Sequence, residues 1–312
     1  MQNSAYDVVV VGGGFAGLTA AVYCTRDGLK TAVVSGETGG QILTASDVEN
    51  YPGIVNVSGA ELSENLVKQA EKYGAVLLHK SAKSVSLSGN EKTVDLSDAA
   101  LTAKSVIIAT GASPKKAGFT GENEFCGKGV SYCAACDGFF YKNRKAVVIG
   151  GGNSAVQEAL SLSEICSEVV VAVRRDVLRC DGSLEQRIRK KDNVVLNFNT
   201  VVSSVDGEDF VRLANFADAA TGRTTTYTAD DGGRLGVFVM VGRHPETELF
   251  AGSIELDEHG YVPADETTRT SVKGVFAAGD VRRKAVRQLV TAASDGASAA
   301  HFAAEYVRLS KN

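Results

Sequence analysis

The chain has 312 residues, 44% hydrophobic and 22% charged, with a formal net charge of −4. That length suits two domains of ordinary size, and the acidic balance argues against a nucleic-acid binder, which usually carries a clustered basic excess. No apolar run reaches membrane-span length, no basic-then-apolar leader opens the chain, and six cysteines are too few for a disulfide scaffold, so a reducing cytoplasm is expected.

Asp7-Val8-Val9-Val10-Val11 is the first predicted strand. A near-continuous apolar run suits a strand buried on both faces of a parallel sheet. Gly12-Gly13-Gly14-Phe15-Ala16-Gly17 follows, then a helical stretch at residues 18–24 and a strand at 31–34. This βαβ context gives a Gly-rich match its meaning. Gly12 permits the tight turn, Gly14 lets backbone approach a pyrophosphate, and Gly17 lets helix and strand pack closely. The helix then offers free N–H groups and the positive end of its dipole to an anion. A Gly-rich turn that binds nothing is the plain alternative.

Residues 105–112 read as a strand running into Ala109-Thr110-Gly111. Next comes Cys133-Ala-Ala-Cys136-Asp137. Half a zinc site is one reading of a C-x-x-C, but no second C-x-x-C or paired His follows, and four ligands are needed; no metal is expected. The other reading is a redox dithiol. There Asp137 can deliver or accept the proton of thiol–disulfide exchange; it otherwise serves as a surface or capping residue.

The βαβ pattern then repeats. Residues 145–149 are a strand, Gly150-Gly151-Gly152-Asn153-Ser154-Ala155 the turn, residues 156–165 a helix and 168–173 a strand. That strand ends in Val173-Arg174-Arg175-Asp176-Val177-Leu178-Arg179. Guanidinium groups here can fork onto a 2′-phosphate, which favours NADP(H) over NAD(H); a solvated basic helix end is the alternative. Residues 274–280 form a last strand closing on Gly279-Asp280, where an acid suits the ribityl chain of a flavin. A helix is predicted at 289–309. The expected fold is α/β, with two Rossmann-like, three-layer dinucleotide domains, the second inserted into the first. The first comprises residues 1–114 and 246–312, the second 115–245, with Pro114 and Pro245 at the junctions.

These blocks, with Gly39-Gly40-Gln41, Val48-Glu49-Asn50-Tyr51-Pro52-Gly53, residues 129–140 around the cysteines and Arg287-Gln288, resemble the low-molecular-weight, bacterial-type thioredoxin reductases, NADPH-dependent flavoprotein disulfide reductases. The resemblance spans essentially the whole chain. It implies two-electron transfer from NADPH through FAD and a Cys133–Cys136 disulfide to thioredoxin or a thioredoxin-like protein, by a homodimer. FAD would lie on Gly12, Gly14, Phe15, Ala16, Gly17, Gly40, Gln41, Asn50, Ala109, Thr110, Gly111, Gly279, Asp280, Arg287 and Gln288. NADPH would lie on Gly150, Gly152, Asn153, Ser154, Ala155, Arg174, Arg175 and Arg179. Cys136 would face the flavin, Cys133 would attack the partner, and Asp137 would be the acid. Lys128, Phe139 and Phe140 match the family's docking positions. The inserted domain would rotate on hinges near residues 114–118 and 242–245.

Two positions depart from the family. Val173 stands where His is usual, and Arg282-Arg283-Lys284 replaces a more acidic stretch, adding positive charge near the last helix. Two other readings compete: a flavin reductase of the same fold without a thiol step, against which the cysteine pair counts, and a flavin-binding sensor without turnover.

Overall fold

The computed structural model describes residues 2–45, 47–230 and 233–310. The chain divides into two compact units: Met1–Ser113 with His244–Asn312, and Pro114–Arg243 inserted between them in sequence. Two strands carry the chain across, Ala112–Pro114 and Arg243–Pro245, and they pair with each other.

In the first unit the central strand is Gln2–Gly13. It begins earlier than the valine run because the stretch before Asp7 finds a partner: Gln2 to Tyr6 pair in parallel with Ala99 to Ala103. Strand Thr31–Thr38 lies on its other side, also parallel. Strand Ala99–Ile108 is shared along its length. Its first half pairs antiparallel with Lys92–Asp95, its last residues in parallel with Val275–Ala277. Side chains alternate across this sheet. Val8, Val10, Val33 and Ile107 pack under helices Phe15–Arg26 and Leu289–Leu309. Val9, Val11, Val34 and Ile108 pack on the opposite face with Leu87, Phe250 and Val262. Both faces are covered, which is why the strand reads as a continuous apolar run. The two helices meet at backbone distance, for a Cβ on Gly296 would stand 2.3 Å from the Ala16 carbonyl oxygen.

The second unit repeats the plan. Its parallel sheet runs Val194–Asn197, Glu168–Ala172, Lys145–Ile149, Gly236–Val239, Val130–Ser131. Ala146, Val148, Val169 and Val171 face helix Asn153–Ser163. Val147, Ile149, Val170 and Ala172 face a three-stranded antiparallel sheet, Thr200–Gly207, Val211–Asp218 and Thr224–Thr228. Helix, parallel sheet and antiparallel sheet are the three layers.

Boundaries moved where glycine obscured them. The first helix starts at Phe15 rather than residue 18, and that of the second unit at Asn153 rather than 156. In both, a glycine in extended conformation is the N-cap, so the helix opens inside the Gly-rich run. The strand expected at 105–112 stops at Ile108, and Gly111 turns the chain with φ +80°.

Candidate active site

The two Gly-rich loops sit at the C-terminal ends of the central strands, where parallel sheets present ligand crevices. In the first, Gly12 adopts φ +114°, and a Cβ there would lie 2.3 Å from the Ala109 carbonyl oxygen. A Cβ on Gly17 would lie 1.9 Å from the Gly12 carbonyl oxygen. Both positions exclude any side chain. Gly14 differs: around its missing Cβ the nearest neighbour is the Gly40 Cα at 4.0 Å. It caps helix Phe15–Arg26 with no side-chain hydrogen bond. The N–H groups of that helix's first turn therefore face an open cradle, which fits a pyrophosphate.

Of the other expected residues of this unit, Gly40 and Gly279 lie against the loop and the start of its helix, and the rest make the following contacts. Gly279 packs on Ala16, its would-be Cβ 2.8 Å from the Ala16 Cβ. Phe15 is buried edge-on against Tyr51, ring centres 5.4 Å apart. Gln41 Nε2 donates to the Ala112 carbonyl at 2.8 Å, beyond the turn formed by Ala109, Thr110 and Gly111. Thr110 Oγ1 donates to the Glu246 carbonyl at 2.6 Å. Asn50 Nδ2 donates to Gln288 Oε1 at 3.2 Å, and Gln288 caps the last helix. Arg287 lies over the Tyr261 ring at 4.5 Å, and its buried Nε has no hydrogen-bond partner. A buried orphan donor costs about 1–3 kcal/mol, so an acceptor supplied by a ligand fits here. Asp280 follows Gly279 in a single turn of 3-10 helix.

The second loop performs the same task with one substitution. Gly150 takes φ +141°, its would-be Cβ 2.5 Å from the Met240 carbonyl oxygen. At the third position stands Ala155, fully buried. Gly152 caps helix Asn153–Ser163 and, like Gly14, is open: the nearest atom to its missing Cβ is the Arg179 carbonyl oxygen at 3.9 Å. Arg179 N donates to the Gly151 carbonyl at 2.6 Å, which holds the arginine segment beside the loop. Asn153 braces the far side, its Oδ1 accepting from Asp181 N at 2.8 Å. Ser154, Arg174 and Arg179 are exposed; Arg175 is half-buried, with a buried Nη1 that has no partner. Val173, at the position where the family usually has His, is core: it packs against Gly151.

Cys133 and Cys136 form a disulfide with Cα atoms 5.3 Å apart. They flank a one-turn helix, Ala134–Asp137, with Cys133 as its N-cap. Cys136 is exposed and Cys133 half-buried. Ser131 braces the turn: its Oγ donates to Asp137 Oδ2 at 2.6 Å and accepts from Cys133 N at 3.0 Å. Burial pushes the Asp137 carboxyl above the usual carboxylate range, against the opposing pull of the Ser131 hydrogen bond. A carboxyl near a disulfide whose affinity for its proton is raised by burial is suited to act as an acid.

Residues 6–296 match the pyridine nucleotide-disulphide oxidoreductase family. The chain is 42% identical over 310 residues to a thioredoxin reductase of Peptoclostridium acidaminophilum, covering 98% of each. It is 43% identical over 309 residues to that of Treponema pallidum, covering 98% of this chain and 99% of the relative. The chain belongs to the bacterial-type thioredoxin reductases. Its structure is similar to that of the thioredoxin reductase from Streptococcus pyogenes, with a TM-score of 0.93 at 37% identity over 99% of this chain and 100% of that one. The Giardia duodenalis thioredoxin reductase gives 0.92 at 34%, over 98% and 99%.

Two groups of buried charges escaped the sequence reading. Arg282 and Lys284 do not add free positive charge near the last helix. Both bind the carboxylate of buried Asp295 on that helix, Lys284 Nζ at 2.8 Å, and Gly279 N donates to the same group at 3.0 Å. Of the three basic residues only Arg283 is exposed. In the second unit, buried Glu122 accepts from Ala117 N at 2.9 Å, Gly118 N at 2.6 Å and the Tyr132 hydroxyl at 2.9 Å. It ties the start of the unit to the residue before Cys133. Burial and the adjoining Glu122 push the Tyr132 phenol up. Neither group has a sequence signature, because its partners meet it through loop turns rather than at a helix or strand period.

Proposed function

We propose that the chain reduces the disulfide of a thioredoxin or thioredoxin-like protein at the expense of NADPH, as a cytoplasmic homodimer. FAD is held by the first unit on Gly12, Gly14, Phe15, Ala16, Gly17, Gly40, Gln41, Asn50, Ala109, Thr110, Gly111, Gly279, Asp280, Arg287 and Gln288. NADPH is held by the second on Gly150, Gly152, Asn153, Ser154, Ala155, Arg174, Arg175 and Arg179. The open caps at Gly14 and Gly152 and the orphan donors of Arg287 and Arg175 support both assignments. Among the described residues no helix is long and apolar enough to cross a membrane. Bound together, the two groups supply the electron pair that opens the disulfide.

The observation that carries this reading is the disulfide braced by Ser131 and Asp137, in the unit that bears the arginine-flanked loop. Once reduced, the Cys133 thiolate attacks one sulfur of the partner's disulfide. That bond breaks, a mixed disulfide forms, and the departing partner thiolate takes a proton from Asp137. The Cys136 thiolate then attacks Cys133 Sγ, re-forms the Cys133–Cys136 bond and releases the second partner sulfur as a thiolate, which takes its proton from water. Lys128, Phe139 and Phe140 receive the partner.

The test is NADPH oxidation with a purified thioredoxin, followed by single cysteine variants. Cys136→Ser should trap a mixed disulfide through Cys133, and Cys133→Ser should not. Both should lose thioredoxin reduction while keeping NADPH-dependent ferricyanide reduction. Trapping by Cys133→Ser alone overturns the division of roles. Light scattering at micromolar concentration tests the dimer.

A further inference from the structure

Beyond the redox turn, the second unit carries a continuous arc of positive charge. Phe139 and Phe140 follow the disulfide directly and are 65% and 41% exposed. Past buried Tyr141, Lys142 donates its N–H to the Phe139 carbonyl at 3.1 Å. Lys142 and Arg144 are exposed and line a cavity of about 360 Å³ with Lys145, Asp230 and Arg234. Asp230 is already taken by Lys145 Nζ at 2.7 Å. Lys142, Arg144 and Arg234 have no carboxylate partner among the described residues. Arg144 reaches toward Gly233, its Nη1 3.3 Å from where a Cβ on Gly233 would stand. The next residue, Arg234, lies over the Phe210 ring at 3.3 Å. Val211, which follows Phe210, donates its N–H to the Lys128 carbonyl at 2.9 Å and accepts from Leu235 N at 2.8 Å. The arc thus runs Lys142, Arg144, Arg234, Lys128, with the two exposed phenylalanines at one end.

Arg234 is stacked on the Phe210 ring, but Lys142 and Arg144 beside it have no carboxylate partner among the described residues, so like charges are held close together around one cavity, where they repel. Exposed aromatics beside a rim with an excess of positive charge are the makings of a transient docking surface: aromatics anchor, and the charged rim steers the encounter and selects the partner. We propose that this arc is the electrostatic half of the docking surface and that it receives a carboxylate-rich face of the thioredoxin-fold partner, flanking that partner's disulfide. The inference rests on the thioredoxin reductase reading above and adds the chemistry of the partner's face.

The test uses the full-length, FAD-loaded enzyme and an acidic thioredoxin, assayed from about 20 to 500 mM salt, a range that takes the screening length from roughly 20 to 4 Å. The wild-type KM for thioredoxin should rise with salt. The double variant Lys142→Glu/Arg144→Glu should raise KM about tenfold at low salt, leave kcat in place, and reverse the salt trend. Ferricyanide reduction by NADPH should be unchanged, which shows that the variant is folded and both nucleotide sites work. A second thioredoxin whose surface carboxylates beside the disulfide are replaced by lysines should bind the variant better than the wild type. An unchanged KM and salt trend in the variant, with thioredoxin still reduced, overturns the docking arc. No reduction of any thioredoxin by the wild type overturns the underlying reading instead.

Discussion

The two Gly-rich loops solve one problem with different tolerances. Each must turn sharply off a buried strand and leave a helix N-terminus open to an anion. Gly12 and Gly150 do the first, and both lie against backbone carbonyl oxygen at 2.3 and 2.5 Å from the missing Cβ. Gly14 and Gly152 do the second, and both have open space. The third position separates them. In the first unit the helix presses onto the Gly12 carbonyl and only Gly17 fits. In the second, Ala155 fills the equivalent place and is fully buried. The open helix N-terminus is therefore common to both loops, whereas helix–strand packing and the bordering residues differ. Gly40, Gln41 and the Gly279 turn crowd the first loop; the arginine segment borders the second.

Three experiments bear on that contrast, the largest effect first. The second loop's unit carries Asp137, and the first has no counterpart. Asp137→Asn should slow thioredoxin reduction about 10²-fold, the lower end for a positioned acid, and leave ferricyanide reduction alone. The sign follows from the raised carboxyl. The wild-type exchange rate should fall as pH rises through that raised value, because the proton donor is lost. The Asn variant should be flat over the same range, and an unaltered profile would remove Asp137 from the proton step.

Next comes the ribose end. Each charge-assisted bond to a 2′-phosphate is worth roughly 1.5–3 kcal/mol. Arg174→Ala with Arg175→Ala should raise the KM for NADPH by about 10²-fold and that for NADH only slightly. An equal rise for both nucleotides would assign the arginines to general electrostatics.

The third experiment exchanges the third-position residues. Gly17→Ala should cost about 3 kcal/mol, at the upper end for overpacking, and the protein should lose FAD on dilution. Ala155→Gly should cost only about 1 kcal/mol, read as a small shift in thermal unfolding with NADPH binding kept. Comparable losses in the two variants would mean that the loops share one packing rule after all.

The parts of this molecule that depend on near neighbours were legible in the sequence. The dithiol, both glycine turns and the last helix, found at Leu289–Leu309, announce themselves within a few residues each. What depends on distant partners was not. The extension of the first strand back to Gln2 needs Ala99 to Ala103. Arg282 reads as surplus charge until Asp295 of the last helix is placed beside it. Val173 looked like a weakened nucleotide contact, but it is a core residue against Gly151.

The close meeting of the first and last helices has a consequence for synthesis. The Gly14 cradle lies on helix Phe15–Arg26, and Gly296 of the last helix touches that helix at the Ala16 carbonyl. One wall of the first loop is thus supplied by a segment translated only after the whole inserted unit. The inserted unit, Pro114–Arg243, is complete well before that and can fold as its own block, since domains fold as units during translation. The first unit must wait half-built, its strand and leading helix exposed along one side, until helix Leu289–Leu309 has been made. A chain cut short before residue 289 would therefore lose the earlier nucleotide site while keeping the later one.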